Sequence, residues 1–279
     1  MDKPAGLTSH DAVQRVRRAL RTRQAGHTGT LDPFATGLLV VLVGRATRLA
    51  RFVESEAKTY LATVRLGVST ETDDLTGAVL EERPLDRLSL ERLREALAGF
   101  AGEQRQRPPA YSAKHVAGER SYRLARRGAA VLLREIEVTV HCIELVAWEP
   151  PAVTFRATVS AGTYLRAIGR DLGERLDVGG HLTALRREAI GGLRVEDAVP
   201  LDEVGPQALL RPARVLRHLP VVELDPAAKA AVMHGRAVED SGPVKPPGVP
   251  VVLLAGDELV AVARPEEGRL RPTVVLASP

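Results

Sequence analysis

Gly26-His-Thr-Gly-Thr-Leu-Asp-Pro-Phe-Ala-Thr-Gly37 is the stretch on which the reading of this chain turns. Small residues, hydroxyls and the Asp32-Pro33 pair mark a turn-rich loop, too polar for a central strand. The apolar run Leu38–Val43 follows and is short enough to be a buried strand. Upstream, Thr8-Ser-His-Asp11 has the form of a capping box and opens a helix predicted to run to about Arg23. Val13, Val16 and Leu20 recur at helical spacing, while Arg15, Arg18 and Arg21 lie off that stripe, as on an amphipathic helix with a solvated face.

Downstream, Lys58–Leu66 alternates, with Tyr60, Ala62, Val64 and Leu66 on one face, which predicts a half-buried strand. Gly67–Gly77 reads as an exposed polar loop; its Asp73-Asp74 pair could hold Mg²⁺ if taken alone, but a solvated turn is the simpler reading. Ser89–Leu97 reads as a short helix, Ile136–Trp148 and Val153–Ser160 as strands, Thr163–Leu176 as a helix, and Leu182–Glu188 as a second, basic helix. After Pro220, the short β candidates Val221–Leu224, Pro250–Ala255 and Leu259–Ala263, with Pro243–Gly248 as a loop, predict a small β-rich C-terminal domain. Its boundary falls near Leu210–Pro220.

Composition narrows the classes. At 279 residues and 30.0 kDa the chain can bury one large core and a smaller one. The single cysteine, Cys142, excludes an intrachain disulfide and a cysteine-built zinc site. The longest apolar run is Leu38–Val43, far short of the roughly 18–20 residues that span a bilayer. Met1-Asp-Lys-Pro4 carries no hydrophobic signal segment, so a soluble, cytoplasmic protein without a membrane partner is expected. There is no Gly-x-x-x-x-Gly-Lys-Ser/Thr phosphate loop, no Gly-x-Ser-x-Gly elbow and no Gly-x-Gly-x-x-Gly dinucleotide loop. The net charge is only +4, yet it is built from 34 Arg and 5 Lys, and arginine is the better planar partner for phosphates and stacked bases. Phe100–Glu135 holds seven Arg and one Lys against three acids, a net of +5, with Tyr111 and Tyr122 among the cations. A basic segment carrying aromatics fits a nucleic-acid contact; without a partner it is a solvated basic loop.

The candidate constellation is Asp32 in the loop, Tyr60 on its strand, and Tyr164 with Arg166 after the Ala161-Gly162 turn. Each alone has an ordinary explanation: a turn aspartate, a core tyrosine with its hydroxyl satisfied, a paired arginine. His27 has no ligand partner at metal spacing.

Taken together, these residues lie in blocks that resemble a known family. Gly26–Gly37, continuing through Leu38-Leu39 to Gly44-Arg-Ala-Thr47, closely resembles the signature of the TruB family. These are bacterial tRNA pseudouridine synthases acting on uridine 55 of the T-loop. Asp2–Ser9, Lys58-Thr-Tyr60, Val64–Gly67, Pro109–Ala113, Ser160–Arg166 and Gly180–Arg187 resemble further family blocks in the right order. The resemblance implies an α+β fold: a pseudouridine synthase core with a central mixed, mainly antiparallel sheet flanked by helices and loops over residues 1–215, and a small β-barrel-like PUA domain over 216–279. The basic stretch at about 100–135 then becomes an RNA-gripping insertion.

The resemblance also implies roles. Asp32 is the catalytic nucleophile, and Tyr60 packs on the target base and accepts the proton from C5. Tyr164 and Arg166 line the same site, with Arg166 paired to Asp32; His27 lies near the flipped nucleotide and Leu185 beside the uracil. Lys3 is structural or electrostatic, and Lys3, Arg123, Arg126 and Arg127 are candidates for RNA contact. The implied partner is the T-arm of tRNA, bound by a monomer with no guide RNA, no metal and no organic cofactor. Two departures stand out: Met1 directly precedes Asp2 where members usually carry a short hydrophobic strand, and Val40 stands where they have proline. The competing readings are an RNA-guided synthase subunit and a non-catalytic RNA chaperone, in which Asp32 would be only a turn residue.

Overall fold

Lys58–Leu66 does what period two requires: Lys58, Tyr60, Ala62, Val64 and Leu66 are buried and the residues between them are less so. This strand belongs to one of two compact units in the computed structural model, which describes residues 1–279 apart from 87, 113–114, 117–118, 122–123, 125–126, 128–132, 241–247 and 278–279.

That unit comprises residues 34–37 and 56–190. Its strands lie in the order Thr36–Leu38, Gly180–Ile190, Lys58–Leu66, Ala152–Val159, Ile136–Glu149, Gly102–Gln106. Neighbours are antiparallel except the first pair, where Thr36 and Gly37 run parallel to Arg186 and Arg187. The sheet is therefore mixed and mainly antiparallel, as expected. Helix Leu90–Ala98, capped by the Ser89 hydroxyl, packs near Ile136–Glu149, and helix Leu165–Arg175 packs on Gly180–Ile190.

Two expectations fail in this unit. Leu182–Glu188 is the middle of the strand Gly180–Ile190, not a helix. Leu185, Arg187 and Ala189 turn inward at period two, and the charged run Arg186-Arg187-Glu188 hid the alternation because Arg187 is a buried cation, 1% exposed. Gly67–Gly77 is not wholly an exposed loop either: Val68–Thr70 is a strand, and the turn after it buries Asp74.

The other unit comprises residues 1–33, 38–55 and 191–279. Its first helix, Ser9–Ala19, carries both halves of the Thr8/Asp11 capping box and stops short of Arg23, with Arg21 at φ +49°. Strand Ala25–His27 pairs antiparallel with Val41–Val43, so the apolar run from Leu38 is split between two short strands. Residues after Pro220 form a separate sheet in the order Val221–Glu223, Val251–Ala255, Glu258–Glu266, Arg269–Val275, Val238–Glu239. Only its first pair is parallel. Arg269–Val275 and Val238–Glu239, with the helix Pro226–Met233, go beyond the expected strands.

Both faces of that sheet are apolar. Val251, Leu253, Val260 and Ala263 cluster with Val232 of the helix, whereas Val252, Val262 and Val274 cluster with Leu42, Leu49, Phe52 and Leu216. No helix among the described residues is long and apolar enough to cross a membrane.

Candidate active site

In the unit of residues 1–33, 38–55 and 191–279, Asp32 sits between two backbone clamps. The buried Ser9 hydroxyl bonds both polar groups of Leu31, accepting from its N–H at 2.8 Å and donating to its carbonyl at 3.1 Å. On the other side, the Pro33 carbonyl accepts from Gly6 N at 2.8 Å and from Lys3 Nζ at 3.4 Å. Lys3 is wholly buried, and its ammonium also donates to the carbonyls of Pro4 and Leu7 at 2.8 Å each. Carbonyl dipoles thus replace water around the charge. Its position suits the structural role and not an exposed phosphate contact. Asp32 itself is half-buried. Fixing the chain on both sides limits the orientations its side chain must search.

His27 ends the strand Ala25–His27, and its Nδ1 accepts from Gly29 N at 3.3 Å.

In the other unit, Tyr60 lies opposite Ala157 on one neighbouring strand and Arg187 on the other, and Leu185 lies opposite Ala62. Residues paired across strands share a face, so Tyr60, Leu185 and Arg187 project to the same side of the sheet. Gly37 has φ +102°, and a Cβ there would stand 2.3 Å from the Arg187 carbonyl, so only glycine lets this strand approach.

Tyr164 and Arg166 open the helix Leu165–Arg175. Buried Gln106 grips the Tyr164 backbone twice: Oε1 accepts from Tyr164 N at 2.8 Å and Nε2 donates to Tyr164 O at 3.1 Å. Arg166, also buried, donates to the carbonyls of Thr72 at 3.0 Å and Tyr111 at 2.9 Å, and faces Asp74 Oδ2 at 3.5 Å. Asp74 Oδ1 accepts from Thr72 Oγ1 at 2.7 Å, Thr76 N at 2.9 Å and Thr76 Oγ1 at 2.6 Å. With 4% exposure, that carboxylate is committed to the fold rather than displayed to solvent. Among the described residues no group of three or more His, Cys, Asp or Glu is placed to hold a metal ion.

One helical turn on, Arg170 pairs with Asp73 at 3.1 Å and Asp171 at 2.7 Å, and donates to the Arg107 carbonyl at 2.9 Å. Burial pushes the Asp73 carboxyl up to about 6, although Arg170 and Arg166 beside it pull the other way. Arg166 and Arg170 together hold the backbone at the start of the basic segment, at Tyr111 and Arg107. Within that segment Arg127 is exposed and ion-paired with Glu119; Arg123 and Arg126 lie outside the described residues.

Ser9, Gln106 and Arg170 carry no role in the sequence pattern, and Asp74 reads there only as a solvated turn residue. Ser9 was visible only as an interior position of the capping box, and the partners of the others lie far along the chain.

Solved structures share this fold over nearly the whole chain. An H/ACA RNP bound to a substrate RNA containing 2′-deoxyuridine matches with a TM-score of 0.74 at 26% identity, covering 99% of this chain and 83% of that one. The archaeal box H/ACA sRNP Nop10–Cbf5 complex matches with a TM-score of 0.73 at 25% identity, covering 99% and 85%. The model of TruB family pseudouridylate synthases (N-terminal domain) matches residues 17–165, which sets the class as a pseudouridylate synthase. Among curated relatives, the tRNA pseudouridine synthase B of Thermobifida fusca is 44% identical, over 99% of this chain and 97% of its own length. That of Gloeobacter violaceus is also 44% identical, over the same shares, and that of Aquifex aeolicus is 40% identical over 85% of each. The chain belongs to the TruB family.

Proposed function

We propose that this chain is a tRNA pseudouridine synthase that isomerises uridine 55 of the T-loop. The observation that carries the reading is the full-length likeness to bacterial tRNA pseudouridine synthases at 40–44% identity, with the Asp32 loop held on both sides by Ser9, Gly6 and Lys3. The likeness to H/ACA proteins is weaker, at 25–27% identity, and favours a synthase that works without a guide RNA.

The reaction breaks the N1–C1′ bond, turns the uracil and joins C5 to C1′. C5 loses a proton and N1 gains one, so there is no redox change and no need of a metal or organic cofactor. Asp32 attacks the flipped nucleotide at its ribose or its base, as an ionised carboxylate must. Arg166 is the cation that keeps it ionised, an arrangement implied by the family pattern. Tyr60 packs on the base and takes the C5 proton; Tyr164, Leu185 and His27 shape the site around a nucleotide that has left its stack. The basic segment at 100–135 grips the T-arm, with Arg123, Arg126 and Arg127 as phosphate contacts, and residues 216–279, whose sheet has a core of its own, form a PUA-like RNA-binding domain.

Purified chain is incubated with an unmodified tRNA transcript tritiated at uridine C5. Release of one equivalent of tritium without guide RNA is expected. Failure to release tritium from this transcript would overturn the reading.

A further inference from the structure

Helix Ser9–Ala19 has a face that the reaction does not use. Its inner side buries Ser9, Ala12, Val13 and Val16. Both ends are tied to the segment carrying Asp32: Ser9 to Leu31, and Arg17, whose guanidinium donates to the Ala25 carbonyl at 2.8 Å. Arg15 and Arg18 point outward, and Arg21 and Arg23 follow in the turn beyond; all four are exposed. None of their side chains makes an ion pair or hydrogen bond among the described residues. The one acid of the helix, Asp11, feels the charge of Arg15 but is drawn into the cap by Thr8.

Elsewhere Arg83, Arg156, Arg170, Arg211, Arg214 and Arg271 meet carboxylates; exposed arginines without an ion pair, such as Arg65 and Arg94, do not stand four within nine residues among the described residues. Attraction to the negative end of the helix accounts for a cation in its last turn such as Arg18. It does not account for Arg15 in the middle or Arg23 beyond the end. Four unneutralised guanidinium groups within nine residues repel one another unless an anion sits among them.

We propose that Arg15, Arg18, Arg21 and Arg23 form a phosphate-contact surface for the RNA substrate, separate from the basic segment at 100–135. The proposal rests on the reading of the chain as an RNA-modifying enzyme. Arg18 lies about 14 Å along the helix axis from Ser9, at 1.5 Å per residue. The surface therefore meets RNA backbone beyond the reacting nucleotide. Its contacts are electrostatic and sequence-independent.

The test measures binding of unmodified tRNA transcript to full-length Asp32→Asn protein over a range of salt concentrations. Arg18→Gln/Arg21→Gln is compared with Arg65→Gln/Arg94→Gln, which removes the same charge from two exposed arginines of the other unit. The first pair should lower the slope of log K against log salt by about 1.5, and the four-fold variant by about 3. The second pair should leave the slope in place. A four-fold variant with the parent slope overturns the proposal, as does an equal drop in both double variants. If the wild-type chain binds tRNA yet makes no pseudouridine, the enzymatic reading fails while the slopes still decide this surface.

Discussion

Asp32 and Asp74 both sit in short turns rich in threonine and glycine, and different bonds fix the two turns. At Asp32 the grip falls on the neighbours: Ser9 fixes Leu31, and Gly6 with Lys3 fixes Pro33. At Asp74 the grip falls on the carboxylate itself, through Thr72, Thr76 and Arg166. On the proposed reading Asp32 reacts, and a backbone fixed on both sides helps to aim it. An acid that must hold an arginine needs its oxygens saturated and dry. The two turns thus differ in which of their atoms these bonds hold, although their compositions are alike.

The largest effect should come from the supporting acid. Asp74→Ala takes from the buried Arg166 guanidinium the carboxylate 3.5 Å away, at a cost of about 3–5 kcal/mol in urea unfolding. Asp32→Ala should cost less, because Asp32 is half-buried where Asp74 is 4% exposed. Equal losses would erase the distinction.

Asp73 sharpens the comparison through pH. Its folded carboxyl titrates at about 6, above the usual unfolded value of about 3.9. The folded state therefore binds this proton more tightly than the unfolded one, and stability rises as pH falls through 6 towards 4. Relative to Asp73→Asn, wild type should gain on the order of 1–3 kcal/mol between pH 7 and pH 4. Parallel pH profiles for the two proteins would contradict the burial argument.

Ser9→Ala removes the clamp before Asp32 and leaves both polar groups of Leu31 without that partner, a loss of about 1–3 kcal/mol. With Asp32 as the proposed nucleophile less well aimed, kcat should fall roughly tenfold with KM little changed. A change confined to KM would assign Ser9 to binding instead. The smallest effect is Thr8→Ala, which breaks the capping box for about 1 kcal/mol and should leave kcat in place.

Local signals were legible and distant ones were not. The Thr8/Asp11 cap and the alternation of Lys58–Leu66 are written in neighbouring residues, and both stand in the structure. The strand Gly180–Ile190 was misread because its inward Arg187 breaks the rule that charge faces water. Asp74 read as a solvated turn residue because Arg166, which buries it, lies far along the chain and close only in the fold. Strand Arg269–Val275 was passed over because Arg269, Arg271 and Pro272 interrupt its apolar residues, although Leu270 and Val274 alternate inward. For Asp32, Tyr60, Tyr164 and Arg166 the roles rest on family blocks, since no spacing rule links positions on separate segments.

The most direct test of the account is single-turnover tritium release by Asp32→Asn on C5-labelled tRNA, with urea unfolding of the same protein. The account predicts no detectable release, tRNA binding retained, and a midpoint close to wild type. Release at the wild-type rate would show that Asp32 is a turn residue and not the reacting group.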